Sequence, residues 1–470
     1  MGSTTTTTPL PSASAPSLAL VLAHPDERPK TWSLTHPMWG PALSHSEYLA
    51  REHFMTTLPL AKDGGLTHWI LTDTDSSSSF SQEPGHRPVL SSCESLRKHA
   101  VAARYDPSTD RVVITEGISH GIGSVFTDPQ YRGKGYANRM MQEVGKRLRN
   151  WQVSDKKDRP ESPSAEEQKE EQTALFSVLY SDIGKSFYAK NGWKAFPSAH
   201  VSFKPIPSST TASSSPSSTS PSTATTNGTA NGTSPKSTFS PPPTVFPPNL
   251  SPLTYHTLPP LCTIDTSSLL STTLPLLARA NPSKTHVALL PDLDCILWHL
   301  LREDFMTSHI FGQTPTVRGA IYSGDKEGKG RVWAVWTRSY YRGLESESIE
   351  GNHMHILRFV MEGITDLGDE GSLSGLSEEQ EKYLAEAFRG ILQVAQREAA
   401  SWRVEDVQMW NPSPLVNHLI KKAEVEGGFE VVERDMESIP SLMWYGAEGI
   451  ECAKGTEEVE WVANEKFGWC

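Results

Sequence analysis

The sequence is poor in cysteine and contains no long apolar run. Its five cysteines show no CxxC spacing, so neither a zinc site nor a disulfide framework is predicted, and a reducing compartment is favoured. No segment approaches the ~20 apolar residues of a membrane span. Residues 1–17 lack the basic and apolar regions of a signal peptide. We therefore expect a soluble cytoplasmic protein with no metal and no membrane partner.

Positive charge is also scarce. The chain has 43 Lys and Arg against 55 Asp and Glu, which gives a formal net charge of -12. This balance does not favour contact with a phosphate backbone, so nucleic acid is not an expected partner. The length of 470 residues predicts two or three structural units once segments of low complexity are removed.

Shifts in composition divide the chain. Ser, Thr, Pro, Gly and Asn dominate residues 205–252, which therefore predict a disordered linker. Residues 154–172 are crowded with charged residues and predict a surface insertion. Strand and helix patterns alternate on both sides of the linker, which predicts an α+β fold class. The resulting units are a disordered N-terminus at 1–17, a first domain at 18–204, the linker at 205–252 and a second domain at 253–470.

The clearest local pattern is a glycine-containing loop between a strand and a helix. Residues 120–127 (HGIGSVFT) predict a strand, and the helix that follows the loop has an apolar face formed by Tyr136, Met140, Met141, Val144 and Leu148. A helix N-terminus leaves backbone N–H groups without partners and carries partial positive charge, so it attracts phosphates. Gly133 and Gly135 would let the backbone approach such a group closely. The alternative is an ordinary tight turn before a helix.

This loop resembles the Gln/Arg-x-x-Gly-x-Gly/Ala signature of the GNAT superfamily of N-acetyltransferases through Gln130, Gly133 and Gly135, while Arg132 and Ala137 fit a second frame. The resemblance implies a GNAT fold, a mixed and mostly antiparallel sheet flanked by helices, with acetyl-CoA as co-substrate. It also implies a set of cofactor-binding residues. They are Val125, Phe126, Thr127, Gln130, Tyr131, Arg132, Gly133, Lys134, Gly135, Tyr136 and Ala137.

The second half of the GNAT pattern is a strand, a break and a helix that carries a tyrosine. Residues 175–180, Ser181-Asp182 and residues 183–190 supply this order, and Tyr188 falls on the helix. The resemblance implies that Tyr188 donates a proton to the departing CoA thiolate. The alternative is a tyrosine that only packs on the sheet.

The acceptor amine needs a group that removes its proton, because a lysine side chain with a pKa of about 10.4 is almost fully protonated at neutral pH. We favour Glu94, acting directly or through water. Glu116, His120, Asp128 or a carboxylate from the second domain are alternatives. Cys93 could in principle carry an acetyl group, but a small buried residue is the preferred interpretation, since most GNAT enzymes transfer the acetyl group directly.

The second half repeats the order of the first. Strand patterns at 331–340 and 353–361, a helix pattern at 379–402 and the run from 407 to 432 follow the same sequence of elements. The loop at 362–370 is acidic and would repel pyrophosphate. We expect a second, GNAT-like domain that does not bind CoA and covers the acceptor side of the first. An unrelated α+β domain with a coincidental order is the alternative.

Several segments resemble those of fungal lysine acetyltransferases. That resemblance implies acetylation of the ε-amino group of free L-lysine in lysine degradation. A closed pocket with a carboxylate-binding arginine such as Arg338 or Arg358 would fit this acceptor. Polyamines or protein lysines are alternative acceptors, and a non-catalytic acetyl-CoA-binding regulator is an alternative of another class. The matching segments are residues 30–32, 66–69, 92–98, 120–126 and 181–184.

Overall fold

A computed structural model of the chain describes most of the sequence. The described ranges are residues 10–75, 81–153, 173–207, 239–323, 330–366, 375–446 and 455–469. The predicted insertion at 154–172 and most of the predicted linker therefore lie outside the described residues. Within these ranges no helix has the length and apolar character needed to cross a membrane.

Nine α-helices are present in the described ranges. The second begins with a capping box in which the Ser44 hydroxyl accepts a hydrogen bond from the Glu47 amide and the Glu47 carboxylate accepts one from the Ser44 amide. The helices are α1 (Arg28–Trp39), α2 (His45–Met55), α3 (Tyr136–Leu148), α4 (Ser186–Lys190), α5 (Leu258–Ser268), α6 (Leu274–Ala280), α7 (Leu293–Phe311), α8 (Glu378–Ser401) and α9 (Pro414–Lys422).

Sixteen strands accompany the helices in the same ranges. They are β1 (Leu18–Leu22), β2 (Leu66–Asp73), β3 (Ser91–Asp106), β4 (Arg111–Thr127), β5 (Ala174–Ser181), β6 (Lys194–Ala195), β7 (Ala199–Phe203), β8 (Leu250–Leu253), β9 (Thr285–Leu289), β10 (Gly319–Tyr322), β11 (Val332–Ser339), β12 (His353–Met361), β13 (Asp406–Trp410), β14 (Phe429–Glu433), β15 (Ile439–Trp444) and β16 (Val459–Trp461).

The first sheet has the strand order β1-β2-β3-β4-β5-β15-β6, and β9 adds to the far half of β3. Its pairs are antiparallel except β4 with β5 and β9 with β16. Residues 89–94 and 98–105, which the sequence predicts as separate strands, belong to the single long strand β3. They form one strand because β4 pairs with β3 along its whole length, while the partner on the other side changes from β2 to β9.

The second sheet has the order β14-β7-β13-β12-β11-β10-β8. Strand β12 pairs in parallel with β13, and α8 forms the connection between them. The first sheet has the same arrangement in β4, α3 and β5. The predicted fold class, α+β with mixed and mostly antiparallel sheets flanked by helices, is therefore confirmed, and the order of elements recurs in the second half.

The two sheets exchange strands, which the predicted domain boundaries did not anticipate. Strand β7 lies before residue 204 but pairs with β13 and β14 of the second sheet. In the opposite direction, β15 is inserted between β5 and β6, and β9 pairs with β3. The buried side chains of Phe203 and Leu442 anchor two of these exchanged strands in the core of the other sheet. The boundary at 204 therefore does not separate the two sheets.

Both segments predicted as disordered end earlier than predicted. The Tyr136 hydroxyl donates a hydrogen bond of 2.6 Å to the carbonyl of Pro11, and Ala13 packs against the apolar cluster that contains the Tyr136 ring. At the end of the linker, the Phe239 ring lies 4.5 Å from the Phe311 ring, and β8 pairs with β10. These few apolar residues anchor segments whose average composition predicts disorder.

A buried ion pair holds the β2–β3 connection against the start of α1. The Glu27 carboxylate is 0 % exposed and accepts hydrogen bonds from Arg87 at 2.7 and 2.8 Å and from the amides of His24 and Gly85. Burial by itself would raise the pKa of Glu27, but the hydrogen bonds from Arg87 and the two amides lower it to about 2.

Replacing Glu27 with glutamine should lower the free energy of unfolding by about 3 kcal/mol at pH 7. Because the folded-state pKa is depressed, the ionised carboxylate stabilises the protein above about pH 4.5. That contribution is lost as the pH falls towards 2. Urea unfolding of both proteins should therefore show a smaller difference at pH 3 than at pH 7. The exposed Glu83→Gln serves as control, and a difference that is independent of pH would contradict the assignment.

Candidate active site

The first feature of the site is a divergence of β4 and β5. Their parallel pairing ends at Ile122 opposite Leu179, although β4 continues to Thr127. A bulge in β4 accompanies this divergence, since Ser92 pairs with Phe126 but Glu94 pairs with Gly123. Ser124 has a φ of +53° at the bulge. The backbone of residues 125–127 therefore lies beyond the pairing with β5, where an extended ligand can take the place of a strand.

The predicted loop joins this part of β4 to α3. Gly133 and Gly135 have φ angles of +75° and +86°, a region that glycine adopts without strain. Gly135 is the N-cap of α3, and no side chain caps the helix there. The exposed residues of the loop are Gln130, Arg132, Gly133, Lys134 and Gly135. Among the described residues no side chain caps the first-turn amides of α3, which fits the binding of a pyrophosphate.

The remaining predicted cofactor residues support or flank this loop. Tyr136 is buried at the start of α3, and the half-buried Tyr131 places its ring 6.4 Å from the Tyr136 ring. The buried ring of Phe126 lies 5.1 Å from the Arg132 guanidinium. The Thr127 carbonyl accepts a hydrogen bond of 3.2 Å from Arg132. Val125 packs against the apolar cluster formed around the buried face of α3, which we call the α3 cluster, and Ala137 is half-buried in the first turn. The residues that α3 contributes to this cluster are Tyr136, Met140, Met141, Val144 and Leu148.

The corresponding helix of the second half begins differently. At α8, the Ser377 hydroxyl accepts a hydrogen bond from the Gln380 amide, and the Gln380 side chain accepts one from the Ser377 amide. Side chains therefore cap the first turn of α8, whereas no side chain caps the first turn of α3. Glu362 forms two hydrogen bonds of 2.9 Å with Arg331. Residues 367–370 of the predicted acidic loop lie outside the described residues, so the absence of CoA binding in this half stays a prediction.

Tyr188 lies on α4 and is 7 % exposed, packed in the same apolar cluster as Cys93 and Leu179. Burial raises the pKa of Tyr188 above its usual value, and the neighbouring Cys93 and Asp182 act in the same direction. The phenol therefore keeps its proton at neutral pH. Its hydroxyl forms no hydrogen bond with another described residue.

Glu94 lies on β3 on the opposite face of the sheet from Cys93. Its carboxylate accepts hydrogen bonds from Ser124 Oγ at 2.8 Å and from Trp32 Nε1 at 3.3 Å, and His68 Nε2 lies 3.2 Å away. Burial would raise the pKa of Glu94, but His68 and the two hydrogen bonds outweigh it and lower the pKa. Glu94 is therefore an ionised carboxylate that accepts two hydrogen bonds and lies beside the His68 ring.

The other base candidates lie in less suitable places. Glu116 is exposed and pairs with Val101 on the part of β4 far from the loop. The buried His120 contacts the carbonyl of Trp151 at 3.1 Å, and burial lowers the pKa of His120 to about 4. Asp128 accepts two hydrogen bonds of 3.0 Å from Gln130 and so shapes the loop.

Cys93 is fully enclosed by apolar neighbours in the α3 cluster. Burial, with a contribution from Glu94, raises the pKa of its thiol. A thiol that resists ionisation is a poor nucleophile. These surroundings favour the packing role for Cys93 over a covalent one.

The sequence reasoning missed the groups that surround Glu94. His68 is 6 % exposed and lies directly opposite Glu94 in the β2–β3 register, while Trp32 reaches it from α1. The segments that contain both residues did appear in the family resemblance. Aligning the two neighbouring strands would have brought His68 to Glu94, whereas the contact from α1 depends on tertiary packing.

The two arginines considered for a substrate carboxylate are already paired inside the protein. Arg338 is buried between Glu303, at 2.7 Å, and Glu398. Arg358 pairs with Asp265 at 2.7 Å and with Glu465. Breaking such buried pairs would leave uncompensated charges. The expectation that Arg338 or Arg358 binds the acceptor is therefore wrong.

Four aromatic residues of the second half, for which the sequence suggests cation–π contacts with a cationic acceptor, are buried as well. Trp333, Trp336 and Tyr340 are 1 %, 0 % and 3 % exposed, and they belong to the hydrophobic cores. Trp410 is 3 % exposed, and its ring centroid lies 6.0 Å from that of Tyr180 on β5. Of these four residues, only Trp410 lies against the first sheet near the divergence of β4 and β5.

Matches among solved structures include an N-acetyltransferase and an N-myristoyltransferase. A GCN5-related N-acetyltransferase from Anabaena variabilis superposes with a TM-score of 0.39 at 11% identity, over 90% of this chain and 72% of that one. The N-myristoyltransferase of Saccharomyces cerevisiae, with bound myristoyl-CoA, gives a TM-score of 0.44 at 9% identity, over 93% of this chain and 80% of that one.

Two comparisons of sequence accompany these structures. A lysine acetyltransferase of Yarrowia lipolytica is 29% identical over 173 residues, which are 37% of this chain and 39% of that protein. The match thus spans about two fifths of that relative's length. Residues 233–470, which are half of the chain, match the family described as the LYC1 GNAT-like C-terminal domain. The chain therefore belongs to this GNAT-like family, and the resemblance to the GNAT superfamily that its sequence shows is confirmed.

Proposed function

We propose that the protein is an acetyl-CoA-dependent N-acetyltransferase that acetylates the ε-amino group of free L-lysine, in the cytoplasm and in lysine degradation. The observation that carries the proposal is the uncapped N-terminus of α3. There, Gly133 and Gly135 expose backbone amides directly after the divergence of β4 from β5. Pyrophosphate on these amides would direct the pantetheine arm along residues 125–127 into the gap.

The reaction proposed for this gap is direct acetyl transfer. The neutral amine of the acceptor attacks the thioester carbonyl, a C–N bond forms, and the C–S bond breaks. The leaving thiolate takes a proton from Tyr188, whose phenol is protonated at neutral pH because of its burial. Cys93 forms no covalent intermediate in this scheme.

The proton of the ammonium leaves on the other face of the sheet. Glu94 is ionised, and its negative charge stabilises a cation beside it. The two ring nitrogens of the buried His68 have no hydrogen-bond partner among the described residues. We propose that the pair of Glu94 and His68 accepts the amine proton, directly or through one water.

The choice of free L-lysine is supported by two independent features. The Yarrowia lipolytica relative is named a lysine acetyltransferase, and five segments of this sequence resemble fungal enzymes of that kind. In addition, the second half of the chain packs over the face of the first sheet that carries Glu94, with α7 in contact with α2. Such a cover suits a small acceptor better than a protein chain.

Thiol release from acetyl-CoA, followed for L-lysine, spermidine and a lysine-containing peptide, tests the proposal. We expect turnover with L-lysine at a kcat/KM at least about tenfold above the other two, and a product heavier by one acetyl group. Faster turnover with spermidine or the peptide would assign the enzyme to that acceptor. Acetyl-CoA binding without turnover of any amine would indicate a non-catalytic regulator.

A further inference from the structure

A row of alternating cations and indole rings lies between the two halves of the chain. The Arg302 guanidinium is 5.5 Å from the Trp469 ring, and Lys466 Nζ is 4.2 Å from the same ring. Lys466 Nζ is also 4.1 Å from the Trp410 ring, and the Arg434 guanidinium is 3.9 Å from it. We call these five residues the cation–indole row. Three positive charges are thus gathered in one place in a protein of net charge -12.

The row lies against the face of the first sheet that carries Glu94. Lys98, four residues after Glu94 on β3, donates hydrogen bonds to the carbonyls of Gly468 and Trp469 at 2.8 and 3.1 Å. A Cβ added to Gly468 would lie 2.6 Å from the Tyr180 hydroxyl. Tyr180 follows Leu179, where β5 stops pairing with β4. The row therefore borders the gap proposed for the reaction.

Arg302 differs from three other arginines of the second half. Arg318, Arg338 and Arg358 each contact two carboxylates. Within the described ranges, the guanidinium of Arg302 makes no hydrogen bond or ion pair. Burial and the neighbouring Arg51 lower the pKa of Arg302 to about 10, so it is a cation at neutral pH. Its side chain is half-buried and keeps contact with solvent.

Tyr341 lies among charged residues that include Arg302. The tyrosine is 40 % exposed, and the charges of Arg302, Asp182, Arg51 and Glu437 act on the pKa of its hydroxyl. Arg302 offers a positive charge at this exposed position, and Asp182, six residues before Tyr188, offers a negative one. This combination suits a zwitterionic amino acid.

We propose that Arg302 binds the carboxylate of an amino-acid acceptor, with the cation–indole row supplying further positive potential. The inference rests on the proposed acetyltransferase function and adds to it the group that recognises the acceptor. Because a guanidinium binds a carboxylate through two parallel N–H donors, it selects α-amino acids over plain diamines. In this arrangement, the Asp182 carboxylate receives the α-ammonium group.

The test compares L-lysine with 1,5-diaminopentane, which has the same amine chain but no carboxylate. For Arg302→Gln we expect kcat/KM with L-lysine to fall by about 10- to 100-fold, mainly through KM, because a charged hydrogen-bond partner is lost. Turnover of 1,5-diaminopentane and the KM for acetyl-CoA should change by less than about twofold. Arg302→Lys should restore part of the loss.

The exposed Arg279, which pairs with Asp110 at 3.2 Å on the far side of the first sheet, provides the control variant Arg279→Gln. Equal losses with both acceptors, or an unchanged KM for L-lysine in Arg302→Gln, would overturn the role of Arg302 while leaving the acetyltransferase in place. Wild-type protein that turns over neither acceptor would instead overturn the proposed function, and this inference with it. Acetyl-CoA affinity shows that each variant is folded.

Discussion

Replacing Tyr188 with phenylalanine is expected to lower kcat for L-lysine acetylation by about 100- to 1000-fold, with the KM for acetyl-CoA unchanged. In the proposed reaction the phenol protonates the leaving thiolate, and phenylalanine keeps the shape of the ring. Burial holds the pKa of Tyr188 above its usual value, so the phenol stays protonated throughout the neutral range. The factor by which kcat falls should therefore be constant between about pH 6 and pH 9. Steady-state thiol release across this range measures kcat for both proteins.

The control for this variant is Tyr105→Phe. Tyr105 lies at the far end of β3, where its hydroxyl donates a hydrogen bond of 2.9 Å to Asp110, and its loss should leave kcat within about twofold. Because the Tyr188 hydroxyl has no partner among the described residues, Tyr188→Phe should also keep its melting temperature. An unchanged kcat in a folded Tyr188→Phe protein would mean that Tyr188 only packs against the sheet.

A negative charge in the glycine loop should abolish most cofactor binding. In Gly133→Asp, the added carboxylate would lie beside the amides that we assign to pyrophosphate, and repulsion of about 2 to 3 kcal/mol weakens acetyl-CoA binding about 100-fold. Aspartate tolerates a positive φ better than most residues do, and a Cβ at Gly133 meets nothing within 4 Å. The fold should therefore survive. Calorimetric titration with CoA gives the affinity.

Gly363 supplies a matched control on the corresponding connection of the second half. It has the same φ of +75° as Gly133, and an added Cβ there also meets nothing within 4 Å. Gly363→Asp should leave CoA affinity within about twofold. If the two variants lost affinity equally, or if neither did, the assignment of pyrophosphate to the α3 N-terminus would be wrong.

The glycine loop, α3 and the helix that carries Tyr188 were predictable because a short stretch of sequence indicates each of them. The glycine spacing at 133 and 135, the amphipathic face of α3 and the strand–break–helix pattern up to Tyr188 all lie within short windows. The structure places these residues around the divergence of β4 and β5. The roles of Tyr188 and Glu94 stay predictions until the variants are measured.

The strand exchange and the pairing of the buried arginines could not be predicted, because they depend on contacts between residues that are far apart in the sequence. Strand β15 reaches β5 across more than half of the chain, and nothing in its own six residues indicates which sheet it joins. The arginines show the same difficulty, since Arg338 and Arg302 look equivalent in the sequence. Only the packing of α7 and α8 shows that Arg338 is paired with Glu303 and Glu398.

The strand exchange has a consequence for the acceptor site. Because β15 lies within the first sheet and β7 within the second, the two halves are tied together by shared sheets. Arg302 and Glu94 are thus held on elements that belong to one connected framework. Such a framework suits the proposed binding of a small acceptor between a carboxylate-binding group and the thioester.

Acetylation of the ε-amino group of free lysine can be followed with the wild-type protein, acetyl-CoA and L-lysine carrying ¹⁵N at the ε position. We expect the ¹⁵N signal to move from an amine to an amide resonance as thiol is released, with one amide formed per thiol. Thiol release while the labelled nitrogen stays an amine, or no thiol release with lysine, would contradict ε-acetylation of free lysine.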